Sequence, residues 1–215
     1  MKDSTKIFGA KTVGDWKVLR DQLLDNSDSD QNWIEAFELF KDRLDTRYFN
    51  PINAIKKHNQ TKYKGEGFAI MTILCSLIEF LESTWIGKNY RYVYGDDNIN
   101  RKIEYNKSQP LFIDFLTKRP PFNNFFNYSS ARKFYSEVRC GLLHEAATKG
   151  DWKIQSKAMY DLYSRDSDGH HIQRNKFEKA IKEYLDFYKD NLLIDQDRQK
   201  AFIRKMNHIA GLRNS

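Results

Sequence analysis

Cysteine is nearly absent from this chain of 215 residues: there are two, Cys75 and Cys140. Two cannot build a disulfide scaffold, so the chain reads as a protein of a reducing compartment. Glycine (10) and proline (4) are scarce, which argues against an all-β fold made of many tight turns. Long hydrophobic runs are missing too. The most apolar stretch, Phe68 to Leu81, is 14 residues and already contains Glu79, whereas a membrane span needs about 20. The opening residues, MKDSTKIFGAKTVGDW, lack the apolar stretch of a signal peptide. These absences predict a soluble, cytoplasmic protein with no membrane partner.

Several chemistries lack their residues. Gly65-Glu66-Gly67 has neither the third glycine nor the preceding strand of a phosphate-binding loop. No Cys or His pair has zinc spacing, and no G-x-S-x-G elbow occurs. Cys75 and Cys140 each fall within an apolar helical pattern, where a free cysteine usually fills core. His170-His171 reads as part of a polar loop beside Asp166 and Asp168, a position where a metal site is conceivable but solvated histidine is commoner. No cofactor and no metal are expected.

Aromatic residues are plentiful. Fifteen Phe, 12 Tyr and 4 Trp make up 14% of the chain, enough to fill a real core. Lys and Arg outnumber Asp and Glu by 36 to 29, and the resulting +7 suits a polyanionic partner without demanding one. The apolar residues recur with helical spacing. Trp16, Leu19, Leu23 and Leu24 predict a helix from about Asp15 to Asp25. Trp33, Phe37, Phe40, Leu44 and Tyr48 predict a second, and Ile52 with Ile55 a third after Asn50-Pro51. The loop at 26–32 looks like a calcium loop, but Trp33 and Leu39 occupy the positions that need Gly and Glu.

Gly67 to Trp85 is apolar almost all round and predicts a buried central helix; Glu79 and Glu82 are either paired polar groups or an exposed stripe. Residues 88–110 read as a polar loop, Pro110 to Leu116 as a short helix, and 127–150 as a Ser-capped helix with Ala131, Phe134, Tyr135, Val138, Leu142 and Ala146 on its apolar face. Residues 151–177 are the least helical and predict a small β-hairpin turning at DSDG, 166–169. Further helices follow around Phe177 to Tyr188 and within Leu192 to Leu212. The fold class is all-α: about six to eight helices in a bundle with a possible hairpin near 151–177, forming one domain over 1–215 with its core at about 30–150.

One segment carries a chemical pattern. VRCGLLHEA, 138–146, contains Arg139 and, after four residues, His144. This is an R-x4-H motif late in a helix of a helical chain, and it resembles the signature of the HEPN superfamily. More narrowly, Gly65-Glu66-Gly67-Phe68, Leu77 to Leu81 and Arg139 to Glu145 resemble stretches of uncharacterised bacterial HEPN-like proteins, over roughly 30–150. Arg165 and His170 match the same spacing, in what reads as a Gly-containing loop, and are taken as accidental.

The resemblance implies a HEPN-like bundle and a homodimer in which two such helices pool their Arg and His residues. On an ideal helix, residues five apart are about 140° apart, so one helix alone does not aim both side chains at one spot. A partner helix, or a helix end loosened at Gly141, brings them together. The implied activity is a metal-independent endoribonuclease of a toxin or phage-defence type, with a cognate antitoxin or partner protein in that setting. Arg139 and His144 are its catalytic candidates. Glu137 either orients the imidazole or is surface charge. Cys140 stands where ribonuclease members often carry Asn, Asp or His, and it is a weak hydrogen-bond donor. Glu145 would place a negative charge near any phosphate.

The alternative is a catalytically silent HEPN-like dimer that binds a nucleotide, nucleic acid or partner protein. There Arg139 pairs with Glu79 or Glu82, and His144 sits at a helix end favoured by the dipole. Arg132 and Lys133 are the nearest RNA-binding candidates. Lys118, Arg119, Arg198, Lys200, Arg204, Lys205 and Arg213 are further ones, and Tyr90, Tyr92, Tyr94 and Tyr105 alternate with charges and could stack on bases.

Overall fold

In a computed structural model the chain is predominantly helical, with 64% of residues in helices and 11% in strands. Residues 1–25, 30–58, 65–94 and 98–212 are described; parts of the expected loops at 26–32, 60–67 and 88–110, and the candidate Arg213, lie outside them. In chain order the elements are β1 (Lys6–Phe8), β2 (Lys11–Thr12), α1 (Val13–Leu24), α2 (Asp30–Leu44), α3 (Asn50–His58), α4 (Glu66–Trp85), β3 (Asn89–Tyr90) and β4 (Glu104–Tyr105). Then come α5 (Ser108–Lys118), α6 (Tyr128–Lys133), α7 (Cys140–His144), β5 (Trp152–Gln155), β6 (Tyr163–Asp166), β7 (Gly169–Gln173), α8 (Arg174–Ile194) and α9 (Gln196–Ile209).

The described chain divides into two compact units. One comprises residues 1–51, 83–106 and 188–215; the other comprises 52–82 and 107–187. In the first, aromatic side chains do the filling. Phe202 of α9 lies 5.8 Å from Phe40, 6.1 Å from Trp16 and 6.5 Å from Trp33, mostly edge to face. The buried Trp16 indole N–H is satisfied by Asn207 Oδ1 at 3.0 Å. Thr12 caps α1 reciprocally with Asp15.

In the second unit, Phe134 is the hub. It stacks on Phe112 and Phe177 at 5.7 Å and meets Phe126 and Trp152 edge-on at 5.6 and 5.5 Å. Glu82, at the end of this unit's α4 segment, is almost wholly buried and receives two hydrogen bonds from Arg119, at 2.9 and 2.8 Å. Burial raises the Glu82 carboxyl above its usual range, and Arg119 opposes that rise.

Four expectations change. The predominantly helical class holds, but the chain carries more sheet than the single hairpin expected. The hairpin is present as antiparallel β6 and β7 turning at 166–169, but β5 adds a third strand parallel to β7, and two further two-stranded ribbons form, β1–β2 and β3–β4. The helix from 128 ends at His144, leaving Ala146 outside it and exposed, and its cap is Asn127, whose side chain accepts from the Ser130 N–H. Helix α4 is not covered all round, because Phe68, Ala69 and Ser76 are exposed on one face. By length and composition alone α4 could cross a membrane, yet 56% of its most apolar window is buried inside the protein, as in a core helix. His170 and His171 are not in a loop: both lie in β7, whose five residues are all buried.

Candidate functional site

The site is built on the segment from α6 to α7. Between them, Phe134–Arg139 forms a π turn, in which the Cys140 N–H donates to Tyr135 O five residues back. The extra residue widens the backbone immediately before the R-x4-H pair, and such π turns recur at functional sites. Buried Phe134 and Val138 hold the turn to the core.

After His144 the chain turns back on itself. Glu145 N–H and Ala147 N–H both donate to Gly141 O, and Lys149 N–H donates to Glu137 O at 2.8 Å. This close return explains Gly141, because a Cβ there would collide with the carbonyl oxygen of Ala147. The turn is completed by Ala146 at φ 54, left-handed backbone that a side chain rarely adopts. Strain of this kind, one turn from His144, is typical of sites held by their surroundings.

Arg139 and His144 are placed differently. The Arg139 side chain is 20% exposed, lies 3.5 Å from Glu79 of α4 and sits over the Tyr135 ring. It lines a cavity of about 210 Å³ together with Thr72, Ile73, Cys75, Ser76, Glu79 and Leu143. His144 is exposed at the helix end, and its side chain makes no hydrogen bond or ion pair to another described residue. It does not line that cavity. The pairing of Arg139 with α4 is therefore observed, through Glu79; Glu82 is taken by Arg119.

Glu137 does not orient His144. Its Oε2 accepts the Trp152 indole N–H at 2.6 Å, which ties the motif helix to β5. Cys140 is half-buried beside Arg139. Its neighbour in the cavity wall, Cys75, is buried, and that burial pushes its thiol up to about 12, against the pull of Arg139. Cys75 is thus a neutral, inert thiol. Glu145 pairs with Lys149 at 3.3 Å, so its charge is partly offset.

Arg132 and Lys133 are exposed on α6 and carry no ion pair to a described residue. Most of the remoter basic candidates are spent on structure. Arg119 is committed to Glu82, Arg198 to Trp85 O and the Trp85 ring, Arg204 to Gly87 O, and buried Lys205 to Lys88 O at 2.9 Å. Arg119 neutralises an acid, Arg198 closes the carbonyl at the end of α4, and Arg204 and Lys205 close carbonyls of the segment after it. Lys118 pairs with Asp114, and Lys200 remains exposed.

The histidines of β7, expected in a solvated loop beside Asp166, are instead buried and stacked. His170 stacks on Trp152 at 4.4 Å, and its Nδ1 is 2.9 Å from Tyr163 Oη. His171 stacks on Tyr160 at 4.6 Å, and its Nε2 is 2.9 Å from Asp166 Oδ1. Burial lowers the His170 pKa, and the His171 hydrogen bond lowers that of Asp166. Arg165 stands directly across from His170 in the β6–β7 register, so the second R-x4-H match is a cross-strand pair. Among the described residues no group of three His, Cys, Asp or Glu side chains comes together as a metal-ligand set.

The chain matches no protein-family model, no curated protein and no solved structure.

Proposed function

We propose that this chain is a HEPN-like, metal-independent endoribonuclease that acts as a homodimer in the cytoplasm, in a toxin or phage-defence setting. The observation that carries the reading is the contrast within one motif. Arg139 stands at the wall of a cavity, while the side chain of His144, five residues on, is exposed and untethered among the described residues. A phosphate needs a cation within reach, and a proton-transfer group needs access to solvent and freedom to turn.

In this reading the His144 imidazole takes the proton from a ribose 2′-OH. The 2′-oxygen attacks the adjacent phosphorus, and the P–O5′ bond breaks. The Arg139 guanidinium leaves Glu79 for the phosphate and stabilises the added negative charge. The second subunit's copy of the same histidine protonates the leaving 5′-oxygen, and a 2′,3′-cyclic phosphate remains. Arg132 and Lys133 attract the RNA backbone.

A second reading, the silent HEPN-like dimer that binds nucleotide, nucleic acid or a partner protein, is favoured by one observation: Glu79 already occupies Arg139. The two readings separate on purified wild type, His144→Ala and Arg139→Ala incubated with mixed RNA in EDTA. Cleavage by the wild type alone supports the nuclease; intact RNA in all three supports the silent dimer.

A further inference from the structure

The geometry points to a second nucleic-acid contact, a tyrosine platform for unpaired bases on the segment 89–94 that begins with β3. Three tyrosines stand out from it: Tyr90, Tyr92 and Tyr94 are 51%, 62% and 75% exposed. Large aromatics are normally buried, and three in a row on one segment is a patch that needs a reason. They alternate with Arg91 and Val93, and the exposed rings of Tyr92 and Tyr94 lie 4.6 Å apart, so these two share one face.

The platform is built and anchored. Asn89 N–H donates to Ile103 O at 2.8 Å and Arg91 N–H donates to Tyr105 O at 2.9 Å, clamping Tyr90 from both sides. Tyr90 packs edge-on against buried Tyr105 at 5.6 Å, and Tyr92 meets Tyr94 at 4.6 Å. Rings held this way lose little freedom on binding, which favours them as stacking surfaces.

Charge selects the occupant. Exposed Arg101 and Lys102 have no acidic partner among the described residues, and the Arg91 guanidinium pairs with Glu104 at 3.3 Å. Over 88–107 five Lys or Arg stand against three Asp or Glu. Aromatic faces interleaved with spare cations match a single-stranded nucleic acid, whose bases stack while its phosphates pair. A duplex hides its base faces and would not use the rings.

The test uses a fluorescent oligothymidylate and anisotropy. This probe has no 2′-OH, so the proposed cleavage cannot consume it, and the result is independent of whether the chain is a nuclease. Wild type should bind, and the triple Phe variant of Tyr90, Tyr92 and Tyr94 should bind within about twofold, since stacking needs only the ring. The triple Ala variant should bind at least about tenfold more weakly, since each stacked base contributes roughly 1–3 kcal/mol. The Tyr92→Ala, Tyr94→Ala double variant, which spares the packing on Tyr105, should show a loss in the same direction with an unchanged melting temperature. Equal binding by wild type and triple Ala overturns the platform. So does full binding by a triple Leu variant, because an aliphatic side chain offers no ring face for stacking.

Discussion

The Trp152 indole N–H donates to Glu137 Oε2 at 2.6 Å, joining the sheet of β5–β7–β6 to the turn of helix that carries Arg139. Trp152 is itself buried between Phe134, Tyr163 and His170. The sheet therefore acts as a brace: it fixes the angle of the motif helix through one charge-assisted bond backed by stacked rings. Trp152→Phe keeps most of the packing and removes the donor. It should cost about 1–3 kcal/mol, the range for losing a hydrogen bond to a charged group. Denaturant unfolding with an unchanged m-value measures it.

Glu79 holds Arg139 in a pair whose two side chains are about one-fifth exposed. Such a pair contributes at most about 1 kcal/mol, so Glu79→Gln should leave stability nearly unchanged. It should also free the guanidinium for phosphate and tighten RNA binding by about fivefold, roughly 1 kcal/mol. Titration of the His144→Ala background with RNA reads this without cleavage. Weaker binding would mean that Glu79 positions Arg139 instead of competing for it.

The return after His144 makes two opposite predictions. Gly141→Ala forces a methyl group into Ala147 O and should destabilise by about 1–3 kcal/mol, the usual cost of overpacking. Ala146→Gly relieves a left-handed residue, whose strain is about 1–2 kcal/mol, and should raise stability by roughly 1 kcal/mol after the chain-entropy cost of glycine. Thermal melts of the two variants should move in opposite directions.

His170 adds a pH dependence. Its pKa is held below the ordinary value by burial, with Asp151 and Glu137 opposing and Arg165 and Lys133 reinforcing; Tyr163 Oη faces its Nδ1. The unfolded chain then binds a proton that the folded chain refuses. Stability from this group is fully present above about pH 6.5 and is lost as pH falls through the depressed folded value. Melting temperature should fall on acidification below that point. His170→Phe, which keeps the ring on Trp152, should flatten the slope.

The helices were legible because their apolar residues repeat at helical spacing, and the hairpin because Asp-Ser-Asp-Gly is a turn between short runs. The Arg139–Glu79 pair was legible as one of two options, since Glu79 and Glu82 interrupt the apolar pattern of Gly67 to Trp85. What stayed hidden is non-local. Gly169 to Gln173 looks polar, and it is buried only because Trp152 and Tyr160 supply faces for two histidines. Trp152 claims Glu137 from 15 residues away. Arg198, Arg204 and Lys205 read as a basic surface, but they end on carbonyls more than 100 residues earlier in the chain. The π turn leaves no mark in the residue pattern, because its face keeps helical periodicity.

The most direct measurement is the chemistry of the cut end. RNA treated with purified wild type in EDTA should yield fragments ending in 2′,3′-cyclic phosphate, and an all-2′-deoxy strand of the same sequence should remain whole. His144→Ala, with an unchanged melting temperature, should leave the RNA intact. Fragments with a free 3′-OH, or cleavage by His144→Ala at the wild-type rate, would contradict the account.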